Sequence, residues 1–454
     1  MTEHSSETTT KPAEKNPCQT GKWVTVAVWA LRLLIGGVFI FSGWAKMVDP
    51  WGGIYKTTEY INAMGISGLT RPTLLMAACI LATAEFGIGI AVATGCFRRA
   101  ALWIAATIMA FMTCLTLWIW MSDPVPDCGC FGEALTLSNQ ATFVKNIAID
   151  LLLGILICLN SRVKPGIASH LQWIAVTVTL VYAVVIQLCG YHFQPLVDFR
   201  PYKIGSQLFA DSLTADDTQY IYVRDGQEKS FSADNLPTDP QWQYVGISND
   251  GKTAQYLEVF GPENLADSIA DNIDDPSSYL ADLSESKGGL LLLVVPEPEA
   301  HGISRSQMAN ALYRYQKDND GEMAAVVATT DAATWAHTVN ANYPVFYTDD
   351  TDVKQLARGN AALVLVHNNR VTHKIVIDAV SPTIVDDIAA GQTSLETALS
   401  APGTGFVRNI TIVFVILLLA MMIPNMITSK NTVTPASERE PEPVPNPITK
   451  SKKS

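Results

Sequence analysis

The chain has 454 residues, enough for two or three domains, and a formal net charge of −12. That acidic balance argues against nucleic acid or anionic lipid headgroups as the main partner. Mean hydropathy is nonetheless positive, because the apolar residues gather in six stretches of span length, about 20 residues each. The six run over 24–43, 73–95, 100–121, 141–160, 170–189 and 407–427.

Residues 1–21 are polar and lack the apolar core of a cleavable signal peptide. They read as a disordered cytoplasmic segment, and the first span as an uncleaved anchor. Orientation follows from Lys and Arg in the short loops. Arg98 and Arg99 follow span two, Arg162 and Lys164 follow span four, and Lys430, Lys450, Lys452 and Lys453 follow span six. The loop at 122–140 carries Asp123, Asp127 and Glu133 and no basic residue. Both termini are therefore expected in the cytoplasm, with loop 122–140 and the long interval 190–405 outside. The first outer loop, 44–72, opposes this weakly with Lys46, Lys56 and Arg71.

Arg32, Glu85 and Asp150 fall near the middle of three predicted spans. Ionisable groups at that depth are costly and usually face the bundle interior in pairs. One cation and two carboxylates at similar depth are expected to form one buried network. It reads either as a proton or quinone-linked site or as a structural ion pair. Glycines in spans one and two (Gly36, Gly37, Gly43, Gly87, Gly89, Gly95) permit close helix approach and carry no chemistry.

Asp127-Cys128-Gly129-Cys130-Phe131-Gly132 is the most informative stretch. It holds the only two cysteines of eight that cluster; Cys18, Cys79, Cys96, Cys114, Cys158 and Cys189 stand apart. Neighbouring thiols in an oxidising compartment suit thiol–disulfide exchange, one attacking and the other resolving the mixed disulfide. Cys128 is expected to attack and Cys130 to resolve, or the reverse. A structural disulfide is the second reading. Metal binding ranks last, since no His or further Cys pair lies nearby. Cys79, Cys114 and Cys189 lie toward the outer ends of their spans, where a thiol relay would need them, although lone cysteines in spans are mostly small packing residues.

Gly37-Val38-Phe39-Ile40-Phe41-Ser42-Gly43-Trp44-Ala45-Lys46, followed by Asp49-Pro50, resembles the first-helix signature of DoxX-type membrane proteins. Glu85 and the Asp127 to Gly132 loop resemble the related MauE group, named for methylamine utilisation. The resemblance covers about residues 24–160 and implies a four-helix membrane bundle, similar in outline to vitamin K epoxide reductase-type bundles. It also implies association with redox partners, thiol chemistry or the maturation of disulfide-containing enzymes.

Beyond a fifth span at 161–189, residues 190–405 carry 30 acidic and 13 basic residues, a net −17. The run from Leu196 to Gly205 is polar and aromatic and suits the headgroup boundary. Short strands at Gln219 to Val223, Gln243 to Ile247 and Tyr256 to Phe260, with turn signals at Asp225-Gly226 and Asn249-Asp250-Gly251, predict a small β-rich module over 190–277. From 278 to 405 strands and helices alternate. Gly289 to Val295, Met323 to Thr329, Pro344 to Tyr347, Ala361 to His367 and Val371 to Ile377 read as strands. His301 to Gln316, Asp331 to Asn340 and a stretch ending at Arg358 read as helices. The order resembles the thioredoxin fold, yet Pro296-Glu297-Pro298-Glu299 stands where a Cys-x-x-Cys belongs, and no proline precedes Ala361-Ala362. A sixth span at 406–428 and a Pro- and Glu-rich tail at 429–454, predicted disordered, complete the chain.

The sequence thus predicts an α-helical membrane protein: a DoxX/MauE-like bundle over 22–160, two further spans, and an α/β thioredoxin-like soluble domain. The expected place is a bacterial inner membrane with the large domain in the periplasm. The expected function is redox, through Cys128 and Cys130, with Arg32, Glu85 and Asp150 supporting and a quinone as candidate cofactor. The alternative is a non-catalytic scaffold or maturation factor. Membrane lipid and a periplasmic protein are the expected partners, with no nucleic acid and no metal.

Overall fold

The computed structural model describes residues 22–431 except 67, 126, 161–162, 196, 211–218, 225–226, 233–235, 238–241, 250–251, 255, 263–272, 274, 301–302 and 401–403. The expectations for 1–21, Cys18 and 432–454 lie outside the described residues, as do Leu196 and the turns at Asp225-Gly226 and Asp250-Gly251.

Six helices are long and apolar enough to cross a membrane. They are α1 (Lys22–Val48), α3 (Arg71–Thr94), α4 (Arg98–Ser122), α5 (Asn139–Leu159), α6 (Gln172–His192) and α13 (Thr404–Asn431). Segment 44–72, expected as a loop, instead holds the last turn of α1 and a further helix, α2 (Pro50–Ala63). The cause is local. Asp49 caps the helix by accepting the Gly52 N–H, and Pro50 occupies the first turn, where its missing N–H costs nothing.

Helices α1 and α3 cross closely along their glycines, and α4 and α5 pair beside them; Ile35, Phe39, Leu102, Ala105, Ile149 and Leu153 fill that core. On the other flank α6 packs against α3, and α13 against α6, through Phe86, Tyr182 and Phe414.

The polar interval forms two sheets. Strands β1 (Gln219–Arg224), β2 (Gln227–Ser232), β3 (Gln243–Asn249) and β4 (Lys252–Ala254) make an antiparallel sheet in the order β2-β1-β3-β4. The expected strand at Tyr256 to Phe260 reduces to one bridge, Phe260 to Tyr347, because the segment runs past the edge of the larger sheet.

That larger sheet contains β5 (Leu290–Val295), β6 (Glu322–Val327), β7 (Val345–Tyr347), β8 (Ala362–His367) and β9 (Arg370–Val376), in the order β7-β6-β5-β8-β9. Strands β5, β6 and β7 are parallel. Strand β8 runs antiparallel to β5, and β9 antiparallel to β8. Helix α7 (Pro276–Leu283) precedes β5. Helices α8 (Ile303–Asp318), α9 (Ala332–Thr338) and α10 (Asp350–Leu356) connect its strands, and α11 (Ile384–Ala389) and α12 (Leu395–Ala398) follow. Strand β5 is buried throughout, as a central strand covered on both faces must be. Leu291, Leu293 and Val295 enter the core with Leu312 and Trp335; Leu290, Leu292 and Val294 face Tyr202, Phe209 and Leu280. Each such side chain contributes about 1.5–3 kcal/mol relative to exposure. The β8–β9 turn uses Asn368 and Asn369 at φ 49° and 56°, the left-handed pair of a two-residue hairpin.

Where this sheet meets the bundle, β9 carries a lysine with almost no exposure. Lys374 Nζ donates to the Leu356 carbonyl at 2.7 Å and lies 3.5 Å from Asp198, itself paired to Arg200 at 2.7 Å. Burial, then the Arg200 charge, pushes the Lys374 ammonium down to about 7. Despite a contrary push from burial, Arg200 and Lys374 hold the Asp198 carboxyl down at about 2. From about pH 7 up to the ordinary lysine value of 10.5 the unfolded chain therefore binds one more proton at this site than the folded chain. Stability from this group rises with pH across that window and is lowest below it. Lys374→Met is expected to flatten the rise in melting temperature between about pH 7 and pH 9 in detergent solution. An unchanged slope would show that Lys374 titrates normally.

Candidate functional site

The site forms where the end of the bundle that carries the 123–138 loop meets α10 and the residues just after it. Ser42 and Lys46 lie one helical turn apart on α1 and so share a face. Glu85 reaches them from α3. Lys46 Nζ lies 2.8 Å and 2.7 Å from the two Glu85 oxygens. The Ser42 hydroxyl stands between Glu85 Oε2 at 2.7 Å and the Cys130 carbonyl at 2.6 Å, donating to one acceptor at a time.

The loop is anchored from several elements. Tyr60 of α2 donates its hydroxyl to the Cys128 carbonyl. Asp127 accepts the Gly129 N–H at 2.7 Å, closing a tight turn, and pairs with Lys56 at 3.2 Å. Gly129 sits at φ 57°, and a Cβ there would meet Lys56 Cγ at 2.7 Å, so both conformation and space require glycine. Phe131 is buried against Phe41 and lies beneath the Lys145 ammonium of α5, 4.3 Å from the ring centroid.

Cys128 is 8% exposed, Cys130 is half-buried, and their sulfurs lie 2.8 Å apart with both thiols free. Cys128 Sγ also accepts the Cys130 N–H at 3.4 Å and lies 3.5 Å from the Thr142 hydroxyl. The Cys130 thiol, then Thr142, the Cys130 N–H and Lys145 pull the Cys128 thiol down to about 6 against the opposing effect of burial. Cys130, bonded to that sulfur and buried, is pushed far up. One thiolate and one thiol is the state a dithiol nucleophile needs near neutral pH.

Both cysteines face a cavity of about 540 Å³ bounded by α1 to α5 and, on the far side, by Lys354 and Arg358. Arg358 is 2% exposed. Its Nε lies 2.9 Å from Asp49 Oδ2, its Nη2 3.0 Å from Glu133 Oε1, and its guanidinium carbon stands over the Tyr55 ring at 5.3 Å. One side chain of the sheet domain thus grips the α1–α2 junction and the loop three residues after Cys130. Two opposed carboxylates hold the Arg358 guanidinium above its ordinary range despite burial. A second contact uses Arg71, at the start of α3, which bonds Asn360 and pairs with Glu297 at 2.6 Å. Glu297, in the segment after β5, therefore docks on the bundle.

The three mid-span charges do not meet. Glu85 belongs to the Lys46 and Ser42 group. Arg32 bonds the Asn160 side chain and the Lys164 carbonyl at the opposite end of the bundle. Fourteen residues of helix, about 21 Å of rise, separate Arg32 from Lys46. Asp150 accepts the Thr113 hydroxyl at 2.6 Å. Each carboxylate has a nearer donor than Arg32. Of the lone cysteines weighed as relay partners, Cys79 lines the cavity, whereas Cys114 is exposed on α4.

Sequence reasoning misses Lys145 and Arg358. Lys145 carries a usable signal, as an ionisable residue inside a predicted span. Arg358 carries none: it is an ordinary arginine in a soluble domain until the domain docks.

Residues 24–160 match the family model described as methylamine utilisation protein MauE. Residues 216–246 match a domain of unknown function, DUF8463. No curated protein and no solved structure matches the chain. With six membrane-length helices, this is a membrane protein with a MauE-like bundle.

Proposed function

We propose that this MauE-like membrane protein performs thiol–disulfide exchange through Cys128 and Cys130. The observation that carries the reading is the pair of free sulfurs, 2.8 Å apart, on the wall of a ligand-sized cavity. The Cys128 thiolate attacks one sulfur of a partner disulfide, whose S–S bond breaks and releases a thiolate. Cys130 then loses its proton, attacks Cys128 in the mixed disulfide and expels the second partner thiolate. Two electrons pass to the partner, its thiolates take up protons, and a Cys128–Cys130 disulfide remains. Run backwards, the same steps oxidise a partner dithiol, with a membrane quinone as the chemical class of final acceptor.

The family description of the bundle names methylamine utilisation, and the partner in this reading is a protein of that system that gains or loses disulfides. Loop charges support a bacterial inner-membrane setting with the dithiol and the sheets on the periplasmic side. The parallel β5-α8-β6 unit beside the β8–β9 hairpin supports a thioredoxin-like ancestry for the sheet domain. Lacking thiols, that domain would cover the dithiol rather than react.

The test is to trap thiols with acid, tag them with a heavy maleimide, and repeat after dithiothreitol or a quinone. Cycling of the Cys128–Cys130 pair, and loss of thiol-dependent activity in Cys128→Ser/Cys130→Ser protein that still inserts, are expected. A pair locked as a disulfide under all mild conditions would reduce it to a brace. The buried Arg358 lock favours a second reading, a maturation scaffold whose sheet domain recruits a partner. A stable partner that co-purifies equally with the double Ser variant would support that instead.

A further inference from the structure

The charged groups on the cavity wall are matched with one exception among the described residues. Lys46 pairs with Glu85, Lys56 with Glu59 and Asp127, Lys354 with Asp350, and Arg358 with Asp49 and Glu133. Lys145 also lines the cavity, half-buried in the second turn of α5, yet no described carboxylate pairs with it. Its visible neighbour is the ring of Phe131, the residue after Cys130. An ammonium within a membrane span is costly without a counter-charge, and an aromatic face compensates only part of that cost. The acidic group available to it is the dithiol, whose two members both feel its charge.

We infer that Lys145 is the counter-ion of the dithiol. Its ammonium holds the Cys128 thiolate before attack and balances the negative charge as it passes to the departing sulfur. The inference rests on the exchange reading for its purpose, but the charge pairing is testable whether or not the protein turns over. The geometry agrees from both sides. Thr142 and Lys145 sit one turn apart on α5, so the helix presents a hydroxyl and a cation together to the loop. Among the described residues, the other titratable groups that line the cavity near the thiols already have partners. Lys46 and Glu85 hold each other and Ser42, Lys56 holds Asp127, Tyr60 bonds the Cys128 carbonyl, and Glu133 bonds Arg358.

The experiment measures the pH dependence of iodoacetamide alkylation at Cys128 in the full chain in detergent, read by mass spectrometry of the loop peptide. In the wild type the midpoint is expected at about 6. Lys145→Gln should move it measurably upward, because removing an opposite charge disfavours the thiolate. Lys145→Arg should keep the low midpoint, because it keeps the charge. A Gln midpoint equal to wild type overturns the inference. So does an Arg midpoint displaced from wild type in folded protein, and that arm stands even if the Gln variant fails to accumulate. A thiol that titrates as expected but never cycles would sink the exchange function and leave the ion pair standing.

Discussion

Arg358→Met is expected to loosen the sheet domain from the bundle and unfasten the dithiol loop in one step. The methionine fills much of the same space, so the loss isolates the charge. Asp49, whose side chain is 14% exposed, would be left without its cation, and breaking such a buried pair costs about 3–5 kcal/mol. Glu133, 39% exposed, recovers water and adds little. Asp49 still caps α2, so the helix itself should persist. The expected results are a clearly lower melting temperature in detergent and faster alkylation of Cys130, since Glu133 lies three residues beyond it. A double-mutant cycle with Asp49→Asn isolates the pair. If the two changes add with no coupling, the lock is an incidental contact and the loop is held by Tyr60, Ser42 and Lys56 instead.

That lock marks the boundary of what a sequence can show. The spans are legible because a bilayer imposes a length and a composition, and both survive in the chain as plain hydropathy. Strands β5, β6 and β8 are legible for a related reason: strands covered on both faces read as unbroken apolar runs. Tyr256 to Phe260 has equal strand character but meets the sheet at one residue, which depends on where the sheet edge lies and not on the segment. The dithiol is legible from its spacing. Its surroundings are not, because matching charges by depth pairs Glu85 with Arg32, whereas its nearest cation sits at the end of α1, in a residue that reads as loop. Helix α1 continues five residues past the expected end of the span at 43, and those residues carry Lys46 into place. That a buried carboxylate needs a partner can be read from the chain; only the crossing of α1 and α3 decides which one.

That crossing yields the second large effect. A Cβ at Gly43 would press into the Phe86 nitrogen and lie 2.8 Å from the Ala82 carbonyl oxygen. Both are backbone atoms, so no rotamer change relieves the clash and α1 must move away from α3. Gly43→Val is expected to cost at least the 1–3 kcal/mol, roughly, of an overpacked core, and to leave little monodisperse protein after extraction. Gly37, six residues earlier on the same helix, has nothing within 4 Å of the corresponding position. Gly37→Val should therefore be extracted and melt like the wild type, although the composition change is identical. Size-exclusion profiles and melting curves of the two variants make the comparison. Equal behaviour would mean that the close approach at Gly43 can be given up freely. The consequence reaches the dithiol, because Gly43 follows Ser42 and its contact, Phe86, follows Glu85. Any separation of the two backbones at this point draws Glu85 away from Ser42 and Lys46, and so removes the support under the Cys130 carbonyl. The milder Gly43→Ala protein should accordingly show Cys130 alkylated faster than in wild type, ahead of any loss of membrane insertion.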